Sequence, residues 1–138
     1  MDGSILNDIK KMLGLPSDYT PFDQDLIIFI NSVLGTLFQL GVGSSPFSIT
    51  SAENTWTEFL GGTPYMSALE SVKSYVFLKV RILFDPPASS TILQAFNDAA
   101  KEYEWRIYIT ANPAPVVDWT VETDEEEYDE DDDYYDWE

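Results

Sequence analysis

The chain has 138 residues, room for one domain with a real core and little more. It contains no Cys and no His, which removes disulfides, thiolate chemistry, His-ligated zinc and every His-based triad. Seven Lys and Arg stand against 25 Asp and Glu, and the net charge of −18 excludes a broad grip on a nucleic-acid backbone, because phosphate binding needs clustered cations.

That charge is unevenly placed. Residues 118–138 hold 13 acids and no base, whereas residues 1–117 hold 12 acids and 7 bases, a net of −5. The division expected is a helical domain over 1–110 and an arm with an acidic tail over 111–138. Met1-Asp2-Gly3 opens on an acid rather than on a basic region and an apolar run, so no signal peptide is expected.

Ser4 to Leu15 reads as a short amphipathic helix, with Ile5, Leu6, Ile9, Met12 and Leu13 recurring at three and four and Lys10 and Lys11 among the polar residues between them. Gly14 and Pro16 stop it. A second helix is predicted from Pro21 to Leu40, with Thr20 as cap and Asp23 in the position of a capping box, ending at Gly41 or Gly43. Leu26, Ile27, Ile30, Val33, Leu34, Leu37 and Leu40 form its apolar face. Asp25, Asn31, Ser32, Gly35, Thr36 and Gln39 form the other, which is small, polar and almost uncharged where a solvent-facing helix carries Lys and Glu. Asn31, Ser32, Gly35 and Gln39 are therefore assigned to a contact with another subunit. The stretch Leu26–Ala52 has no charge, but its helical part is only about long enough to cross hydrocarbon and has a polar side, so no membrane span is expected.

Residues 44–55 read as a loop anchored by Phe47 and Ile49. Thr55 to Leu60 forms one or two helical turns closed by Gly61-Gly62, and Trp56 is assigned to a subunit interface. Thr63-Pro64 opens a long helix through Phe84, with a main stripe of Tyr65, Leu69, Val72, Val76, Val80 and Leu83 and a second of Tyr75, Leu78 and Ile82. Only Glu70, Ser74 and Arg81 are clearly polar, so it should be covered on two sides. Asp85-Pro86-Pro87 breaks the chain sharply. Ser89 or Ser90 caps a last helix to about Tyr108, with Ile92, Leu93, Phe96, Ala99, Ala100, Tyr103 and Ile107 inside and Trp105 nearly opposite, on a charged face. After the hinge Asn112-Pro113-Ala114-Pro115, Val117, Trp119 and Val121 alternate with Asp118, Thr120 and Glu122, the pattern of an edge strand over Val116 to Thr123.

No catalytic constellation stands out. The acid pairs Asp23/Asp25 and Glu102/Glu104 read as helix capping and solvation. Gly41-Val42-Gly43 follows a helix and lacks a Lys, so it is no phosphate loop. The acidic terminus lacks the fixed spacing and bend glycine of a calcium loop, and neither metal nor cofactor is expected. Tyr128, Tyr134, Tyr135 and Trp137 interrupt its charge, which fits docking on a partner or a neighbouring subunit better than mere solvation. The partner-binding residues expected are Val116, Val117, Trp119, Val121, Tyr128, Tyr134, Tyr135 and Trp137; an acidic DNA mimic that inhibits a basic partner is the alternative function.

Three segments resemble the head-to-tail connector, or adaptor, proteins of long-tailed bacteriophages. They are Phe22-Asp23-Gln24-Asp25-Leu26-Ile27-Ile28 running on through Ile30-Asn31-Ser32 to Gln39-Leu40-Gly41-Val42-Gly43; Thr55-Trp56-Thr57-Glu58-Phe59-Leu60; and Tyr75 through Phe84-Asp85-Pro86-Pro87-Ala88-Ser89-Ser90, followed by Glu104-Trp105-Arg106. The resemblance implies an all-α, non-enzymatic virion protein of the neck, present in the host cytoplasm before assembly. It implies a ring, commonly twelvefold, beneath the portal protein, with a tail-side neck or stopper protein below and DNA passing through the channel without sequence-specific binding. Members often end soon after Glu-Trp-Arg, whereas this chain continues to Glu138.

Overall fold

Residues 3–43, 45–61 and 65–113 are described by the computed structural model. They form α1 (Ile5–Met12), α2 (Asp23–Gln39), α3 (Trp56–Leu60), a 3-10 turn (Tyr65–Ala68), α4 (Leu69–Phe84) and α5 (Ser90–Ala111). The all-α expectation holds: among the described residues the extended pairing is one isolated bridge, between Ser4 and Thr55.

The Ser4 hydroxyl accepts from the Asn7 amide at 3.1 Å and starts α1. The helix is shorter than expected because Leu13 already caps it and Gly14 takes φ 84°. Ile5, Leu6 and Ile9 are buried as expected, but so is Lys10, at 1% exposure. Its Nζ lies 2.8 Å from Asp23 Oδ1 and donates to the Ser17 carbonyl at 3.0 Å. This corrects the capping box: α2 begins at Asp23, after Phe22, with no side-chain cap. A buried ammonium without a counter-charge is far more costly than an uncapped helix start, so the carboxylate goes to Lys10.

At its other end α2 stops at Leu40, and Gly41 adopts φ 105°. A side chain at Gly41 would meet the Asn112 amide at 2.9 Å. The Thr55 hydroxyl and the Glu58 carboxylate form a true capping box at α3. Thr63-Pro64, the expected start of the long helix, lies outside the described residues; α4 proper begins at Leu69.

Helix α4 is the central one, packed between α2 and α5. Val72, Tyr75, Val76, Leu78 and Val80 are buried, whereas Leu83, expected in the stripe, is half exposed at the proline break. Ser89 caps α5, which runs on to Ala111, and Ile92 in its first turn is exposed rather than inside.

Two contacts fix the helix directions. The Phe22 and Phe84 rings meet at 5.2 Å, joining the start of α2 to the end of α4. Asn112 Nδ2 donates to the Leu40 carbonyl at 2.7 Å, joining the ends of α2 and α5. Thus α2 and α5 run in one sense and α4 in the other. The bundle has a break end, at Pro86-Pro87, and an exit end, where the chain leaves at Pro113.

Candidate assembly surfaces

Ser32, Gly35 and Gln39 lie exposed on α2, as their helical spacing predicts. Among the described residues a Cβ built at Gly35 meets nothing within 4 Å, so no packing within them requires the glycine. Asn31 is half buried and already engaged: its Nδ2 donates to the Ile49 carbonyl at 3.0 Å, and its Oδ1 accepts from the Ile49 amide at 2.7 Å. It holds the 45–55 loop against α2 and buries Ile49. Ile28, which the sequence reading left off this face, is 64% exposed one turn before Ser32. Three consecutive apolar residues, Leu26-Ile27-Ile28, cannot all face inward on a helix, and that was the available signal.

The assignment of Trp56 to a subunit interface is corrected. Its side chain is 2% exposed in the core, and its indole N–H donates to Asp8 Oδ2 at 2.8 Å. The same carboxylate oxygen lies 3.7 Å from Lys73 Nζ. Asp8 therefore ties α1 to α3 and to α4.

Trp105 does stand out from the bundle. It is 61% exposed on α5, stacked on Tyr108 at 6.3 Å, with Ile109 exposed beside them. The neighbouring charges are spent locally: Arg106 pairs with Glu102 at 2.6 Å. Val116, Val117, Trp119, Val121, Tyr128, Tyr134, Tyr135 and Trp137 lie outside the described residues.

A third surface, absent from the sequence reading, occupies the break end. The Tyr19 and Phe22 rings lie 5.9 Å apart, Phe22 reaches Phe84, and Phe84 reaches Phe29 at 6.5 Å. Tyr19, Phe22 and Leu83 remain partly open to solvent there. Periodicity could not reveal it, because Tyr19 lies in a loop and Leu83 sits in register with an inward stripe.

Asp23 and Glu104, each from one of the two acid pairs, have structural duties. Asp23 neutralises Lys10, and Glu104 accepts from the Tyr75 hydroxyl at 2.9 Å. Burial, then that bond and the charge of Glu104, push the Tyr75 hydroxyl well above the usual tyrosine range. No group of three or more acids among the described residues is placed to hold a metal ion. Two surface clefts of about 400 and 430 Å³ flank Lys11, one with Leu15 and Pro16, the other with Met12, Glu70 and Lys73. No described helix is long and apolar enough to cross a membrane.

The described residues thus define a small helical protein whose distinctive features are surfaces rather than a reaction centre. Residues 5–114 match the phage connector protein family, and the chain belongs to that family. It is a structural phage protein, a head–tail connector of the virion neck, in a family that engages portal and tail proteins. No curated protein and no solved structure matches the chain.

Proposed function

We propose that this connector assembles as a ring, dodecameric by its resemblance to the adaptors, beneath the portal, joining the DNA-filled head to the tail and lining the DNA channel. The carrying observation is a pair of different exposed faces on one chain: the outer side of α2, with Ile28, Ser32, Gly35 and Gln39, and the Trp105–Tyr108–Ile109 side of α5. A ring of identical subunits needs two unlike faces, because each subunit meets its neighbours head to tail. The strong negative charge suits a channel wall, since a surface that repels phosphate does not hold a passing duplex. The arm, Val116–Thr123, then adds as a strand to a sheet edge of the portal or of an adjacent subunit. The chain waits in the host cytoplasm before assembly.

Mixing the purified chain with portal and imaging the product tests this directly: a closed ring on the portal is expected. Trp105→Ala should weaken ring assembly by about 2 kcal/mol, roughly 30-fold. Its melting temperature should stay within a few degrees, since the side chain is mostly in water. Unchanged assembly with collapsed melting would place Trp105 in the core instead.

A further inference from the structure

We infer that the aromatic surface at the break end is the docking site for the tail-side neck protein, and that its occupant is an apolar segment bordered by Lys or Arg. The inference rests on the ring reading above and adds a surface to it.

The described chain leaves the bundle at Asn112 and Pro113, bracketed to the end of α2 by the Asn112–Leu40 bond. If the segment beyond engages the portal, the exit end faces the head. Ile92 and Ile109, near the two ends of α5, are then about 25 Å apart along the helix axis, so the break end faces away from the head. Tyr19 and Phe22 are 42% and 38% exposed with their rings in contact, Phe22 meets the partly buried ring of Phe84, and Leu83, the residue before Phe84, is 49% exposed at the same end of the bundle. Contiguous exposed apolar surface of this kind marks an interaction site. Asp18, beside Tyr19, and Asp25, one turn after Phe22, are exposed and have no ion pair among the described residues. Asp85, beside Phe84, is shared with Arg81 at 3.8 Å. The rim is therefore acidic, and the surface that fits it is basic at its border and apolar at its centre.

The test uses the full chain carrying Asp18→Lys and Asp25→Lys together, with Leu83→Ser as a second variant. Neither removes a buried side chain. DNA-filled heads assembled with each variant are mixed with tails purified from the same phage, and joined particles are counted by electron microscopy against salt. The variants are expected to ring the portal normally and to leave heads without tails. The double Lys variant should cut joining at least tenfold at low salt, with the difference from the native chain shrinking as salt rises. Native yields of tailed particles would overturn the assignment. Loss of portal rings in the variants alone would also overturn it, by moving this surface to the portal or subunit side. Failure of the native chain itself to ring the portal would instead refute the ring reading.

Discussion

Trp56→Ala should lower the melting temperature by on the order of 10–20 °C, the largest stability effect expected of any single truncation in this chain. Removing a buried Trp typically costs about 3–5 kcal/mol, from lost transfer energy and the cavity left behind, and a chain of this size loses a few degrees per kcal/mol. Here the substitution also removes the donor that faces Asp8, leaving that carboxylate with Lys73 alone at the junction of α1 and α4. Trp56→Phe separates the two contributions, because it keeps most of the bulk and loses only the indole N–H. Its cost should be about 1.5–3 kcal/mol, the range for a hydrogen bond to a charged group. Denaturant titration of both variants checks this. Native stability in Trp56→Ala with loss of portal binding would return Trp56 to the interface.

Removing residues 113–138 should leave a folded helical body that no longer joins the portal. The body's core, from Ile5 to Ile107, lies before the cut. On the proposal above, the alternating Val117, Trp119 and Val121 would pair with a sheet edge of the partner, so the truncation would remove main-chain bonds and side-chain pockets together. On the same proposal the acids beyond it would contribute chiefly to the rate and orientation of docking, an effect expected to fade with salt. Circular dichroism of the truncated chain, followed by portal binding and infectivity of reassembled particles, measures both halves of the expectation. Full infectivity would show the arm to be dispensable.

Much of the fold was written locally. Ser4, Thr55 with Glu58, and Ser89 each start a helix through their own side chain, and Asp85-Pro86-Pro87 ends one by steric exclusion, so those boundaries need no tertiary knowledge. Lys10 with Asp23 was illegible for the opposite reason. Lys10 looks like an ordinary surface charge and Asp23 like a helix cap, and only the packing of α1 on α2 makes them partners. Trp105 could be read because a long helix gives enough turns to set one side against the other. Trp56 could not, since α3 has five residues and too little period to distinguish its faces. The aromatic surface at the break end joins a loop, the start of one helix and the end of another, a juxtaposition that no single periodic stretch encodes.

The open space around Gly35 has a consequence for how this chain balances stability against use. A glycine in a helix interior costs roughly 0.5–1 kcal/mol relative to alanine, and among the described residues nothing within 4 Å would obstruct the added methyl group. Gly35→Ala should therefore make the isolated protein melt a few degrees higher. The native residue is suboptimal for the free molecule, as expected of a sequence held only above a stability threshold while another state is under selection. If that state places a neighbouring backbone over Gly35, the alanine variant will be the sturdier monomer and the poorer component of the assembly.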